Sequence, residues 1–331
     1  MSQDEDYVCT LDETTITKAI KELHEDPKDR LSSVNKFRDW ILEQEHIKCR
    51  TAFYVPQIKG RISHELPDTA FLLLYLRGAK FSQLRARELL ENTMRAMTEL
   101  PRWFKTIDTR EPGVLEYFKL GVSFPLPKRD PMNRKILIIR PGAISVKNQF
   151  YSFDNEMRSA YCEVRLISMD EVTQVYGYIL IFDFSGFTAK HAKASWSSES
   201  FKKQSKVWQD CTPGRVKAFH VYNGGIFFEM MMTLAKPFMK KKFQQRFHVH
   251  DNLESLYKHI PKECLPHEYV PDDFTDHVGS VQEIIDSNVS LMTSDAFRQE
   301  IINSTKPEYG MDLTLKPSGP AAESFRKLTL D

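Results

Sequence analysis

Hydrophobic positions along the chain change period once, near residue 133. Before it they recur at three- and four-residue steps, the helical spacing. Val34, Phe37, Ile41 and Leu42 form one stripe, Phe71, Leu72, Tyr75 and Leu76 a second, and Leu84, Leu89, Leu90, Met94 and Met97 a third. Thr10 with Glu13 three residues on has capping-box spacing. Ser33 and Asp68 are read as openings of the next two helices, and Gly78 as the close of the third. The pattern predicts an N-terminal helical lobe over 1–100. Pro101, Pro112, Pro125, Pro127 and Pro131 then mark 101–132 as a connector, with a short helix at Gly113–Lys119.

Beyond it, continuous apolar runs alternate with helix-length stretches. Lys135–Arg140 reads as a buried strand closed by Pro141-Gly142. A long helix is predicted over Asp154–Tyr176, with Met157, Tyr161, Val164 and Ser168 on one face and Gly177 ending it. Tyr178–Asp183 is a second strand, and Glu199–Gln209 another helix. The segment from Arg215 is a third strand, in which Val216, Ala218, His220 and Tyr222 alternate against Lys217, Phe219 and Val221. Asn223-Gly224-Gly225 breaks it, an apolar run extends from Ile226 to Met239, and Phe247–His250 reads as a short strand. Strand, helix, strand, helix, strand implies an α/β lobe with a mostly parallel sheet over 133–275. An amphipathic helix near Val281–Met292 and a tail that packs on the body complete 276–331.

Composition narrows the class. A net charge of +1 gives no global field for nucleic acid, although Lys236, Lys240, Lys241, Lys242 and Arg246 form a local basic cluster. The five cysteines are widely spaced with no CxxC pair, as expected of reduced thiols in the cytoplasm. The start, MSQDEDY, lacks the basic-then-apolar signal-peptide pattern, and no apolar run reaches roughly 18 residues. A soluble intracellular protein is expected.

The chemistry of known enzyme motifs is missing. No GxGxxG follows a strand, and there is no GxxxxGK[ST] loop or GxSxG elbow. Ser185 stands at a strand end without the leading glycine and reads as a turn serine. Asp183 ends a buried strand, where a catalytic carboxylate or a turn residue is equally at home. His248 and His250 share a strand face that suits a metal, yet no third ligand has a supporting spacing. No metal, no cofactor and no enzymatic activity are expected. The run Ile226–Met239 fits either a fully buried core helix or an element at a membrane interface or ligand gate. Its three consecutive methionines give an adaptable surface. The lysines after it exceed what a helix C-terminus needs and would meet anionic headgroups.

These residues resemble the CRAL-TRIO lipid-binding family. The resemblance is carried by RVKAFHVYNGGIFFEMMMTLAKPFMKKKFQQRFHVH, with its strand, gate helix ending in KPF and second strand, and by the later LPHEYVP. DTAFLLLYLRGAKFSQLRARELL is similar to the family's N-terminal helical motif, and GYILIFDFSGF to its central strand. Together they span residues 68 to 270, and the chain looks nearest the tocopherol-transfer and retinaldehyde-binding branch. Three departures stand out: Ala79 at a usual basic position, Asn223-Gly-Gly where relatives often have asparagine-x-proline, and HEYVP without the EYGG glycines.

The resemblance implies a closed apolar cavity over the sheet, lidded by a mobile gate helix at Ile226–Phe238. Its implied walls are Tyr161, Val164, Ser168, Tyr178, Leu180, Phe182, Phe187, Val207, Trp208, Val216, Ala218, Phe227 and Met231. The positions matching the branch's phosphoinositide cleft are Arg77, Arg215, Lys217, Lys242 and Arg246. The implied function is a non-enzymatic carrier, expected to be a monomer. It would hold one tocopherol-, retinoid- or carotenoid-like lipid and exchange it at phosphoinositide-containing membranes by transient peripheral association. The competing implication is a membrane-recruited module that senses a phosphoinositide or fatty acid without bulk transfer.

Overall fold

The computed structural model describes residues 7–50 and 69–315. Asp68 and the end of the tail lie outside the described residues. Two compact units emerge. One comprises the described residues up to Thr106, Asp210–Pro213 and those from Ile302 on; the other comprises Ile107–Gln209 and Gly214–Ile301.

The first unit is helical. Its elements are α1 (Glu13–Leu23), α2 (Arg30–Glu43), α3 (Thr69–Gly78), α4 (Gln83–Glu99) and α5 (Pro101–Phe104). The expected stripes meet in one core of Val34, Phe37, Ile41, Leu72, Leu73, Tyr75, Leu76, Leu90 and Met94. The starts of two helices differ from expectation. Asp12, not Thr10, caps α1, accepting from the Thr15 amide at 2.7 Å. Helix α2 begins a turn before Ser33, at Arg30, whose guanidinium is held by Glu25 at 2.6 Å.

The second unit carries the sheet. It opens with α6 (Pro112–Leu120), β1 (Ser123–Arg129), β2 (Lys135–Ile139), α7 (Phe153–Ser168), α8 (Glu171–Tyr176) and β3 (Tyr178–Asp183). Next come α9 (Ala189–Ser195), α10 (Ser198–Lys206), β4 (Val216–Tyr222), α11 (Gly225–Ala235), α12 (Lys241–Gln244), β5 (Phe247–His250) and α13 (Leu253–Tyr257). Helices α14 (Val281–Met292) and α15 (Asp295–Ser304) close the described chain's helical content. The strand order is β1-β2-β3-β4-β5, with β1 antiparallel to β2 and all other pairs parallel.

Part of the segment expected as connector is therefore strand. Pro125 and Pro127 hid β1, but β1 is a sheet edge, where a missing amide donor is tolerated. The single helix expected over Asp154–Tyr176 is two, because Asp170 leaves the first and caps the second by accepting from the Val172 amide. Gly177 does end α8, at φ 81; a Cβ there would meet the Arg215 carbonyl at 2.2 Å.

One irregularity decides which side chains face which way. Tyr178 pairs with Val216, but Ile179 pairs with Ala218, so Lys217 is an extra residue, a β-bulge. Val216 and Phe219 consequently share a face with Leu137, Tyr178 and Leu180. Ala218 lies on the other face with Ile136, Ile138, Ile179 and Ile181, against Leu256, Val281, Ile284 and Ile285.

Candidate functional site

Above the first of those faces lies a cavity of about 230 Å³, contained in the second unit. Leu137, Ile139, Leu180, Phe182, Val216 and Phe219 form its floor. Helix α7 supplies Phe153, Glu156, Met157, Ser159, Ala160, Glu163 and Val164, a face recurring at helical spacing. Phe201, Gln204, Ser205, Trp208 and Gln209 form another wall, and Met231, Ala235, Met239 and Phe243 the cover.

Of the expected wall residues, Val164, Tyr178, Leu180, Phe182, Trp208, Val216 and Met231 line this space; Tyr161, Ser168, Phe187, Val207, Ala218 and Phe227 do not. Ala218 is turned away by the Lys217 bulge, which breaks simple alternation. Tyr161 follows Ala160 by one residue, about 100° around the helix, and packs on the cluster of Ile107, Val114 and Phe118. Phe187 and Phe227 meet edge to face at 5.3 Å in a neighbouring cluster with Phe184 and Val221. Ser168 and Val207 are buried.

Sequence reasoning missed the acidic part of the lining. Ser123, Glu156, Ser159 and Glu163 line the cavity. Among the charged residues of α7, acids at these positions look like a solvated face, and only their spacing from Ala160, four residues for Glu156 and three for Glu163, hinted otherwise. Glu163 is 1% exposed and its Oε2 accepts from the Ser123 hydroxyl. Burial pushes the Glu156 carboxyl up to about 7 and that of Glu163 well above the carboxylate range.

Helix α11 is apolar yet lies largely uncovered. Ala235 is its one buried residue, while Ile226 is 67% and Met230 45% exposed. Of the two readings of this run, a fully buried core helix is thus the one the fold rejects. The helix ends at Ala235 because Pro237 cannot continue it, and Lys236–Phe238 tightens into a 3₁₀ turn. The Gln209 side-chain amide clasps the backbone just beyond that turn. It donates to the Phe238 carbonyl at 3.0 Å and accepts from the Lys240 amide at 2.7 Å. At the other end Asn223 (φ 54) and Gly225 (φ 44) adopt left-handed backbone.

Asp183 and Ser185 are committed to that entry. Asp183 Oδ1 accepts from the Ser185 amide at 2.9 Å and hydroxyl at 2.6 Å, and Oδ2 from the Tyr269 hydroxyl at 2.7 Å. The Asn223 side-chain amide donates to Ser185 Oγ at 2.6 Å. This is a turn scaffold.

Lys236, Lys240, Lys241 and Lys242 are exposed around the end of the cover. The Arg246 guanidinium donates to the Val216 carbonyl and lies 5.4 Å from the Phe243 ring centroid. Burial and neighbouring Arg215 lower its pKa. Arg215 donates to the Val175 carbonyl, and Lys217 is the half-buried bulge residue. Arg77 belongs to the other unit and is wholly buried there, bound to Glu25 at 2.8 and 2.7 Å. A guanidinium so enclosed has no face for a phosphate, so Arg77 is withdrawn from the anion-binding set.

His248 and His250 point to the sheet face opposite the cavity, where His220 and His259 join them at ring separations of 5.0–5.4 Å. Burial, together with the neighbouring histidines, pulls His220 down to about 3. Among the described residues no group of three or more His, Cys, Asp or Glu is arranged to hold a metal ion, and no helix is long and apolar enough to cross a membrane.

The described chain thus combines a mostly parallel sheet with an apolar cavity beneath a surface helix. The chain belongs to the CRAL/TRIO family: the CRAL/TRIO domain model matches residues 120–269. It is 32% identical over 265 residues to the alpha-tocopherol transfer protein-like protein of Homo sapiens, covering 80% of this chain and 71% of that one. Clavesin-1 of Xenopus laevis is 29% identical over 261 residues, covering 78% and 73%. The crystal structure of Sfh5 matches with a TM-score of 0.51 at 12% identity, over 78% of this chain and 92% of Sfh5, a likeness of fold.

Proposed function

We propose that the protein is a non-enzymatic carrier that encloses one hydrophobic molecule in this cavity and exchanges it at anionic, phosphoinositide-containing membranes. The observation that carries the reading is the two-sided character of α11. Its inner side, through Met231 and Ala235, closes an apolar cavity, while its outer side leaves Ile226 and Met230 exposed beside a lysine cluster. An exposed apolar helix next to lysines suits the headgroup boundary of an acidic bilayer, each lysine contributing roughly 1 kcal/mol there. The cavity is somewhat smaller than the roughly 300–1,000 Å³ of pockets that bury drug-sized ligands, so a full-sized lipid requires the cover to move outward. The Gly224-Gly225 entry and the Gln209 clasp mark the ends of that motion. Its ligand class, by likeness to proteins named for alpha-tocopherol transfer, is a lipid of tocopherol, retinoid or carotenoid size.

Two measurements test this. Mass spectrometry of organic extracts of the purified protein should find a stoichiometric lipid. The double variant Lys242→Ala/Arg246→Ala should weaken binding to phosphoinositide liposomes about thirtyfold, as expected for two lost headgroup charges at roughly 1 kcal/mol each, while the thermal midpoint of the lipid-loaded form is retained. Unchanged liposome binding would remove the basic cluster from the mechanism.

A further inference from the structure

We infer that Glu163 is the residue that reads the head of the bound lipid, and that it selects a neutral hydroxyl group. The inference rests on the carrier reading above and deepens it.

Glu163 is 1% exposed, lines the cavity, and has one oxygen occupied and one idle. Oε2 is bonded to Ser123, whereas Oε1 is buried with no hydrogen-bond partner. Buried polar atoms are paired in nearly all folds, and an exception on a residue that lines a binding space is a candidate partner for a ligand atom. Ser159 and Glu156 stand one and two turns back along the same helix face, so the acids of the lining are gathered on α7, while the other polar side chains that line the space, among them Gln204, Ser205 and Gln209, are uncharged. No lysine, arginine or histidine is among the residues lining the cavity.

That arrangement discriminates between heads. A carboxylate would enter beside two acids with no cation to balance it, and is disfavoured. A hydrocarbon makes neither bond, and an ether, which accepts but cannot donate, leaves one of the two unmade. A hydroxyl both donates and accepts, which matches a neutral carboxylic acid, itself donor and acceptor. Burial raises the Glu163 carboxyl well above its ordinary value, in the direction of that neutral form. The same logic weighs against a fatty acid as the resident molecule.

The test uses one apolar body with four heads: oleyl alcohol, oleyl methyl ether, oleic acid and oleylamine, titrated against the full chain and followed by native mass spectrometry. The alcohol should bind about tenfold tighter than the ether, the worth of one buried hydrogen bond, and the acid weaker than both. Glu163→Leu should bring the alcohol-to-ether ratio close to one while ether binding persists, and Glu163→Gln, whose amide also donates and accepts, should retain the preference. A ratio near one in the unsubstituted protein, or a preference for the acid or the amine, overturns the assignment and leaves the carrier reading standing. Failure of all four to bind overturns both.

Discussion

The two faces of the sheet are made from the same strands but do opposite things. On one, Ile179, Ile181 and Ala218 are packed against Leu256 of α13 and Val281, Ile284 and Ile285 of α14. On the other, Leu180, Phe182 and Phe219 look into open space. The titratable groups divide likewise, with histidines clustered on the packed side and acids in the lining of the cavity. On the carrier reading, a single sheet thus separates a side that supplies stability from a side that takes the ligand. Stability and ligand choice can then be altered nearly independently.

The largest expected effect breaks this comparison directly. Ile181→Ala on the packed face should cost about 2–5 kcal/mol, since its neighbours cannot collapse into the gap. Leu180→Ala, one residue away and bordering the cavity, should cost less than half as much and change lipid affinity instead. Denaturant titrations of both variants decide it; equal losses would show that the faces are packed alike.

A smaller effect comes from pH. His220 is pulled from 6.5 down to about 3 in the fold. Above pH 6.5 it is neutral in both states, so its full contribution is present. As pH falls, the unfolded chain binds a proton that the fold refuses, and stability is lost, by roughly 1–2 kcal/mol on reaching about pH 5. Glu156 runs the other way: pushed from 4.5 up to about 7, it favours the fold below 4.5 and forfeits that as pH rises through 7. Urea midpoints across this range should lose their acid limb in His220→Asn and their neutral limb in Glu156→Gln. Parallel changes in the two variants would contradict the division.

The smallest effect concerns the cover alone. Gly225 holds φ 44 with open space around it, so Gly225→Ala meets no obstacle and costs only backbone strain, about 1 kcal/mol. Lipid exchange between liposomes should change rate while the urea midpoint moves little. An unaltered rate would mean that the entry to α11 does not move.

Much of this architecture can be read from the chain because its signals are local. Tyr178–Asp183, Phe247–His250 and Val281–Met292 are bounded by turn or capping residues, and the structure begins and ends those elements there. What escapes is what depends on neighbours. Pro125 and Pro127 look incompatible with a strand until β1 is known to be an edge. Glu163 looks like one more charge on an amphipathic helix, since its meaning comes from Ser123, forty residues away. Arg77 looks like a surface cation until Glu25 encloses it. The expected walls are partly right for the same reason: helical and strand periods place Val164, Leu180 and Phe182, but periodicity is blind to an inserted residue.

That inserted residue, Lys217, makes chain length a separate variable from residue identity in β4. Substituting it changes a half-buried side chain. Deleting it would rotate one half of the strand by a half-turn relative to the other, sending either Val216 away from the cavity or Ala218 and His220 towards it. For anyone aligning this chain with its relatives, a gap at this position therefore outweighs many mismatches: it records whether two proteins present the same surface to the cavity.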